Sequence, residues 1–268
     1  MSISNQKIYF ITYGDSKFNI SKKHLIGLAK YSKYFDYCLS FGPQDIEESF
    51  KREFKNILEA KRGGGYWLWK YFFINKIINE INENDLVIYC DAGASFNYHA
   101  KKRFYEYIDM INESDFGNLR FENEKENIEK MWTNKEIFNY FKVSTDSVYA
   151  ETTQLMGGHL IFKKSDHSKL FFEKFFETLN YDENLITDFY KNNQGKFFIE
   201  NRHDQSIMSM ITKLYGGVIL KNETYFAKNS HEQVNYPFLS VRNYGHGFQD
   251  FLKYQINLNK IKTTPKWF

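Results

Sequence analysis

The sequence predicts an α/β fold: a single domain with a mostly parallel central sheet flanked by helices. Three observations carry that expectation. Over roughly the first ninety residues, short β-rich apolar runs alternate with stretches of helical periodicity. One of these runs, DLVIYCD at 85–91, is continuously apolar, as strands are when both faces of a parallel sheet are covered. No Pro-, Gly- or Ser-rich linker and no internal repeat divides the 268 residues, which suffice for one large core.

Taken in order, KIYFITYG (7–14) reads as a strand closed by Gly14, and HLIGLAKYSKYF (24–35) follows with apolar residues at helical spacing. FDYCLSFGP (35–43) is a second strand ending in a turn. The next stretch, 44–60, places Ile46, Phe50, Phe54, Ile57 and Leu58 on one helical stripe. Three glycines at 63–65 precede YWLWKYFFINKIINEI (66–81), a helix-length run leading into the buried strand at 85–91. AKKRFYEYIDMI (100–111) is helical, whereas the acidic FENEKENIEKMW (121–132) fits an exposed helix or a loop. QLMGGHLIF (154–162) reads as a strand containing a Gly–Gly pair, KLFFEKFFETL (169–179) as an amphipathic helix, 204–215 as a further helix and GGVIL (216–220) as a short strand.

Composition narrows the function classes. A net charge of +3 without a basic cluster argues against nucleic acid as a partner. Cys38 and Cys90 have neither metal-ligand spacing nor the density of a disulfide scaffold, so a reducing, cytoplasmic setting is expected. No apolar stretch is long enough for a transmembrane segment, which leaves peripheral membrane contact as the compatible mode. Phe, Tyr and Trp make up 19% of the chain, enough to serve both a core and ring-stacking surfaces. Walker A, GxGxxG, HExxH and paired CxxC patterns are all missing, which removes support for P-loop hydrolysis, dinucleotide redox chemistry and zinc proteolysis.

Four places are candidates for chemistry. Asp91 stands where the third strand ends, and ligands of open α/β sheets bind beyond the carboxyl ends of strands. An aspartate opening a Gly-containing turn is the plain alternative. Gly157 and Gly158 interrupt a strand-like run, as a bulge does or as a close-approaching ligand requires. ENRHDQ (200–205) crowds Glu200, Arg202, His203, Asp204 and Gln205 at a helix start, where Asp204 can cap the helix, bind substrate, or do both. His246, framed by Gly245 and Gly247, is an imidazole in a turn.

With ITYGD, RGGGYWLWK, VIYCDAGASFN, MWTNKEIF, TQLMGGHLIF and ENRHDQSIMSMI in this order, most of the chain resembles GT-A-fold glycosyltransferases of the bacterial and viral surface-glycan type. The resemblance implies a GT-A-like, Rossmann-like domain, with residues 1–97 binding the donor and 98–268 forming the acceptor half and C-terminal segment. It implies a nucleotide-sugar donor, a UDP-sugar, and a glycan or other hydroxyl acceptor. Asp91 matches the first acid of the family's Asp-x-Asp motif, with Gly93 in place of the second, so metal dependence stays open. A divalent cation, Mn2+ or Mg2+, would be held by Asp91 with Asn97 or His246. Tyr71 replaces a proline frequent after WLWK.

On this reading Thr12 and Tyr13 lie on the donor side, with Tyr13 against the base. Arg62 and Lys70 would neutralise diphosphate beside the turn made by RGGG. Gly93, Gly157 and Gly158 would admit donor or acceptor, and Asp204, His203 and Gln205 would form the catalytic group. A non-catalytic carbohydrate-binding protein and a nucleotide-sugar hydrolase are the competing functions.

Overall fold

The computed structural model describes residues 6–225 and 230–241. The chain begins with β1 (Ile8–Tyr13), α1 (Asn19–Ser32), β2 (Tyr37–Phe41), α2 (Glu48–Glu53) and α3 (Lys55–Leu58). A single turn, α4 (Gly63–Tyr66), leads into α5 (Leu68–Glu80), β3 (Leu86–Cys90), β4 (Ser95–Phe96) and α6 (Lys101–Glu113). There follow β5 (Asn118–Phe121), α7 (Glu129–Trp132), α8 (Lys135–Tyr140), α9 (Val148–Glu151), β6 (His159–Lys163), α10 (Asp166–Tyr181), α11 (Asp204–Tyr215), β7 (Val218–Leu220) and β8 (Phe238–Leu239).

Six strands form one sheet in the order β2-β1-β3-β6-β5-β7. β1 is parallel to β2 and β3, and β5 is parallel to β7, while β6 runs against both of its neighbours. The continuous apolar run of β3 is explained by alternation of its side chains across the sheet. Val87 and Tyr89 enter a core that includes Phe73, Phe162, Phe175 and Ile211. Leu86, Ile88 and Cys90 enter the other, with Phe10, Leu28, Phe104 and Phe121. Both faces are therefore covered, and each fully buried aliphatic or phenyl side chain contributes about 1.5–3 kcal/mol.

Several boundaries differ from the sequence expectation for local reasons. The stripe at 44–60 forms two short helices, because Phe54 takes φ −109°, ψ 36° between them. The strand expected at 154–162 starts at His159, and the Gly–Gly pair lies ahead of it. The acidic stretch at 121–132 is not an exposed helix: it bridges to Leu155 and Thr153 and then forms α7, whose Glu129 is 0% exposed. α10 gains a turn at its start from a capping box made by Ser165 and Ser168.

The register Cys90 with His159 puts the end of β3 and the start of β6 at one edge of the sheet, beside the end of β1. Asp91, the Gly157–Gly158 pair, Thr12 and Tyr13 thus share that edge.

Candidate active site

The turn before α5 is left-handed throughout: Gly63, Gly64, Gly65, Tyr66 and Trp67 all have positive φ, between 49° and 102°. At Gly65 a Cβ would stand 2.9 Å from the Cα of Leu58, so glycine is demanded by space as well as by φ. The turn aims the two tryptophans in different directions. Trp69 stacks on Tyr13 with centroids 3.8 Å apart and donates its indole N–H to Gly63 O, whereas Trp67 lies against the His203 ring. Unwinding then gives way to a regular helix whose first turn delivers Lys70 into the interior.

Lys70 is the centre of the site. Its side chain is 3% exposed, and Nζ donates to Asp204 Oδ2 at 2.9 Å and to Gly157 O at 2.8 Å, with Asp91 Oδ1 at 3.7 Å. Burial opposes the charge on Lys70, but the carboxylates of Asp204 and Asp91 outweigh it and hold its pKa above the ordinary value. Burial pushes the Asp204 carboxyl up to about 6, against the pull of Lys70. Asp204 opens α11, and the strained backbone of His203 before it, φ 56° and ψ −118°, turns the chain into that helix.

The two carboxylates differ in access. Asp204 is buried, whereas the Asp91 side chain is 45% exposed. Asp91 is fixed from its own strand: Tyr89 donates to Oδ1 at 2.7 Å, and the Asp91 N–H donates to Gly158 O. Gly157 completes the frame by donating its N–H to Gln205 Oε1 at 2.9 Å. A Cβ at Gly158 would approach Asp91 Oδ2 to 3.1 Å and one at Gly157 would approach the Gln205 side chain to 3.2 Å. The glycines therefore make room for the protein's own site residues.

Lys70, Asp91, Gly157, Gly158, Asp204 and Gln205 are thus brought together, and Gly93 lies in the turn just after Asp91. The other expected residues meet different groups. Arg62 pairs with Glu200 at 2.8 Å and reaches Asp188 at 3.6 Å. His203 is enclosed: Nδ1 bonds to Ile186 O at 2.9 Å and its ring packs on Tyr66 and Trp67. Burial lowers its pKa. Tyr13 spends its ring on Trp69, and the hydroxyl of Thr12 is buried with no hydrogen-bond partner among the described residues. Gln154, absent from the sequence expectations, accepts from Gln205 Nε2 at 2.6 Å. Only the contact itself marks it for the site, since a glutamine at the start of a strand-like run does not by itself point to a role.

The chain has a structural likeness to the bifunctional glycosyltransferase WbbM, with TM-score 0.54 and 11% identity. It covers 99% of this chain and 51% of that one, so this chain spans about half of WbbM. The fold is that of GT-A glycosyltransferases. More distant likenesses are a glycosyltransferase involved in glycosylating the major capsid of PBCV-1 (TM-score 0.49, 9% identity, 87% of this chain and 91% of that one) and the galactosyltransferase LgtC with donor and acceptor sugar analogs (0.46, 12%, 96% and 98%). No protein-family model and no curated protein matches the chain.

GT-A glycosyltransferases commonly use a divalent cation. Asp91 Oδ2, which faces the space left by Gly158, is the open oxygen available to it. Asn97 is already committed: its amide donates to the carbonyls of Gln233, Val234 and Tyr236 and its oxygen accepts from His99 N. His246 lies outside the described residues. Among the described residues no group of three His, Cys, Asp or Glu could hold an ion. Asp91 would thus be the one described carboxylate offered to such a cation, whose other ligands would have to be water or substrate oxygens. No helix among the described residues is long and apolar enough to cross a membrane.

Proposed function

We propose that the chain is a glycosyltransferase that moves a sugar from a nucleotide-sugar donor, a UDP-sugar, to a hydroxyl of a glycan or other acceptor. The observation that carries this reading is the Asp91–Lys70–Asp204 cluster at the carboxyl edge of a GT-A sheet. Ligands of open α/β sheets bind at that edge, and a site holding one accessible and one buried carboxylate around an ammonium separates their tasks.

In the transfer, the bond between the anomeric carbon and the diphosphate oxygen breaks, and that carbon bonds to the acceptor oxygen. The hydroxyl proton leaves to a base. Asp91 is the carboxylate that a donor hydroxyl or its cation reaches first, given its exposure. Bound there, a divalent cation would neutralise the departing diphosphate. Lys70 lies between the two carboxylates, 2.9 Å from Asp204 and 3.7 Å from Asp91, and fixes their separation. Asp204, with its carboxyl near 6, is suited to take a proton near neutrality or to stabilise positive charge at the anomeric carbon. Gln205, on the same helical turn, adds a partly exposed amide.

Mass spectrometry of the protein with a panel of nucleotide sugars, acceptors and Mg2+ or Mn2+ tests the reading. A glycosylated acceptor is expected. Free sugar with nucleotide would identify a hydrolase instead, and an unchanged donor that still raises the melting temperature would identify a binding protein.

A further inference from the structure

We infer that Gln154 is a positioning residue: under the direction of the buried Glu129 carboxylate, it fixes which end of the Gln205 amide meets the site. The inference rests on the reading of Gln205 as a group that works in glycosyl transfer.

Glu129 and Gln154 are both 0% exposed. The Glu129 carboxylate accepts from Thr133 Oγ1, Ser209 Oγ and Gln154 Nε2, the last at 3.0 Å, and pairs with Lys213 Nζ at 2.8 Å. An ionised carboxylate only accepts hydrogen bonds, so the end of Gln154 turned toward it must be the NH2 group. That same end also donates toward Trp132 O at 3.2 Å. The Gln154 oxygen is left facing the other way, where it accepts from Gln205 Nε2 at 2.6 Å. Gln205 Oε1 in turn is forced to the side of Gly157 N, at 2.9 Å.

The carbonyl of that glycine accepts from Lys70 Nζ, which holds Asp204 and lies near Asp91. One directional chain therefore runs from a buried acid to the catalytic cluster, and turning either amide over would set donor against donor or acceptor against acceptor. Left unmade in a buried place, such a bond strands a desolvated polar group without a partner, which is costlier than never having buried it. Apolar residues would fill this interior without that liability. A buried glutamate, lysine and glutamine directed at one site residue serve orientation.

The test is a double-mutant cycle between Gln154→Leu and Gln205→Leu, read in donor turnover and in side-chain amide exchange by NMR. Gln154→Leu is expected to lower kcat about tenfold with donor KM held within about twofold, and to cost nothing further in the Gln205→Leu background. Equal losses in both backgrounds would overturn the inference, as would a Gln205→Leu chain with wild-type kcat. Glu129→Gln, which keeps the volume and lets Gln154 turn over, should reproduce the kcat loss. An unchanged kcat there counts against the direction set by Glu129. Amide exchange does not depend on the functional reading. The Gln205 NH2 signals, assigned by their loss in Gln205→Leu, should be slow to exchange in the wild type and fast in Gln154→Leu. Wild-type protein that transfers no sugar yet shows this difference would sink the proposed function alone; equal exchange in the two chains would sink the inference.

Discussion

Removing one partner of a buried ion pair leaves the other charge uncompensated, a loss on the order of 3–5 kcal/mol. The Lys70–Asp204 pair at 2.9 Å exposes the site to that penalty, whereas Asp91 stands partly in solvent. Asp204→Asn, which keeps the size, should therefore destabilise the chain by about 3 kcal/mol and cut turnover at least ~100-fold while donor affinity holds. Asp91→Asn should leave urea stability within about 1 kcal/mol of wild type and weaken donor binding at least ~tenfold, by calorimetry. Wild-type turnover in Asp204→Asn, or wild-type affinity in Asp91→Asn, would remove that residue from the site. A second residue-scale consequence concerns His159, buried between Cys90 and Ser240, whose pKa burial lowers to about 4. A depressed folded pKa means that the unfolded chain takes up the proton first as pH falls. Stability should decline from about pH 6.5 to about pH 4, by up to ~3 kcal/mol from this group. His159→Phe, which keeps the ring against Phe238, should flatten that part of a urea-midpoint profile; an unaltered slope would assign the acid sensitivity elsewhere.

At the scale of elements, the left-handed turn decides where α5 begins and hence where Lys70 points. The three glycines announce a turn in the sequence, but left-handed Tyr66 and Trp67 do not follow from residue type, because an L side chain there costs about 1–2 kcal/mol. Packing holds them: both rings lie on His203, itself in a strained conformation. The glycines of the turn should not be equivalent. Gly64→Ala meets only φ strain, since the nearest atom to a new Cβ is Trp69 Nε1 at 3.9 Å, and should cost about 1 kcal/mol. Gly65→Ala adds a backbone collision with Leu58 and should cost more than about 2 kcal/mol. Denaturation of the two variants would show the order, and equal losses would mean that the turn yields at Leu58.

For the whole molecule, the site edge is closed by a late segment of chain. β8 pairs with β4 just after Asp91, and the Asn97 amide binds three carbonyls of residues 233–236. Asn97→Ala should raise amide exchange at 236, 238 and 239 at least ~tenfold while leaving β1, β3 and β6 unchanged, because the bonds it removes hold residues 233–236 and none belongs to the ladders of the large sheet. Exchange that rises across the sheet as well would make this contact part of the global fold.

Much of the fold was legible in advance because the signals are local. Alternating β and α periodicities, the doubly buried run at 86–90 and the helix at 204–215 each follow from side-chain patterning within one segment. Asp91 was legible for the same reason, since a strand end in an α/β sheet is a place defined along the chain. Tertiary structure alone decided the rest. Antiparallel β6 brings Gly157 and Gly158 to Asp91, the left-handed turn sinks Lys70 between two carboxylates, and Glu129 in an acidic stretch becomes a buried acid behind Gln154. Those roles depend on desolvation and on partners 21 to 134 residues distant, from Lys70 with Asp91 to Lys70 with Asp204, and no periodicity within a segment encodes them.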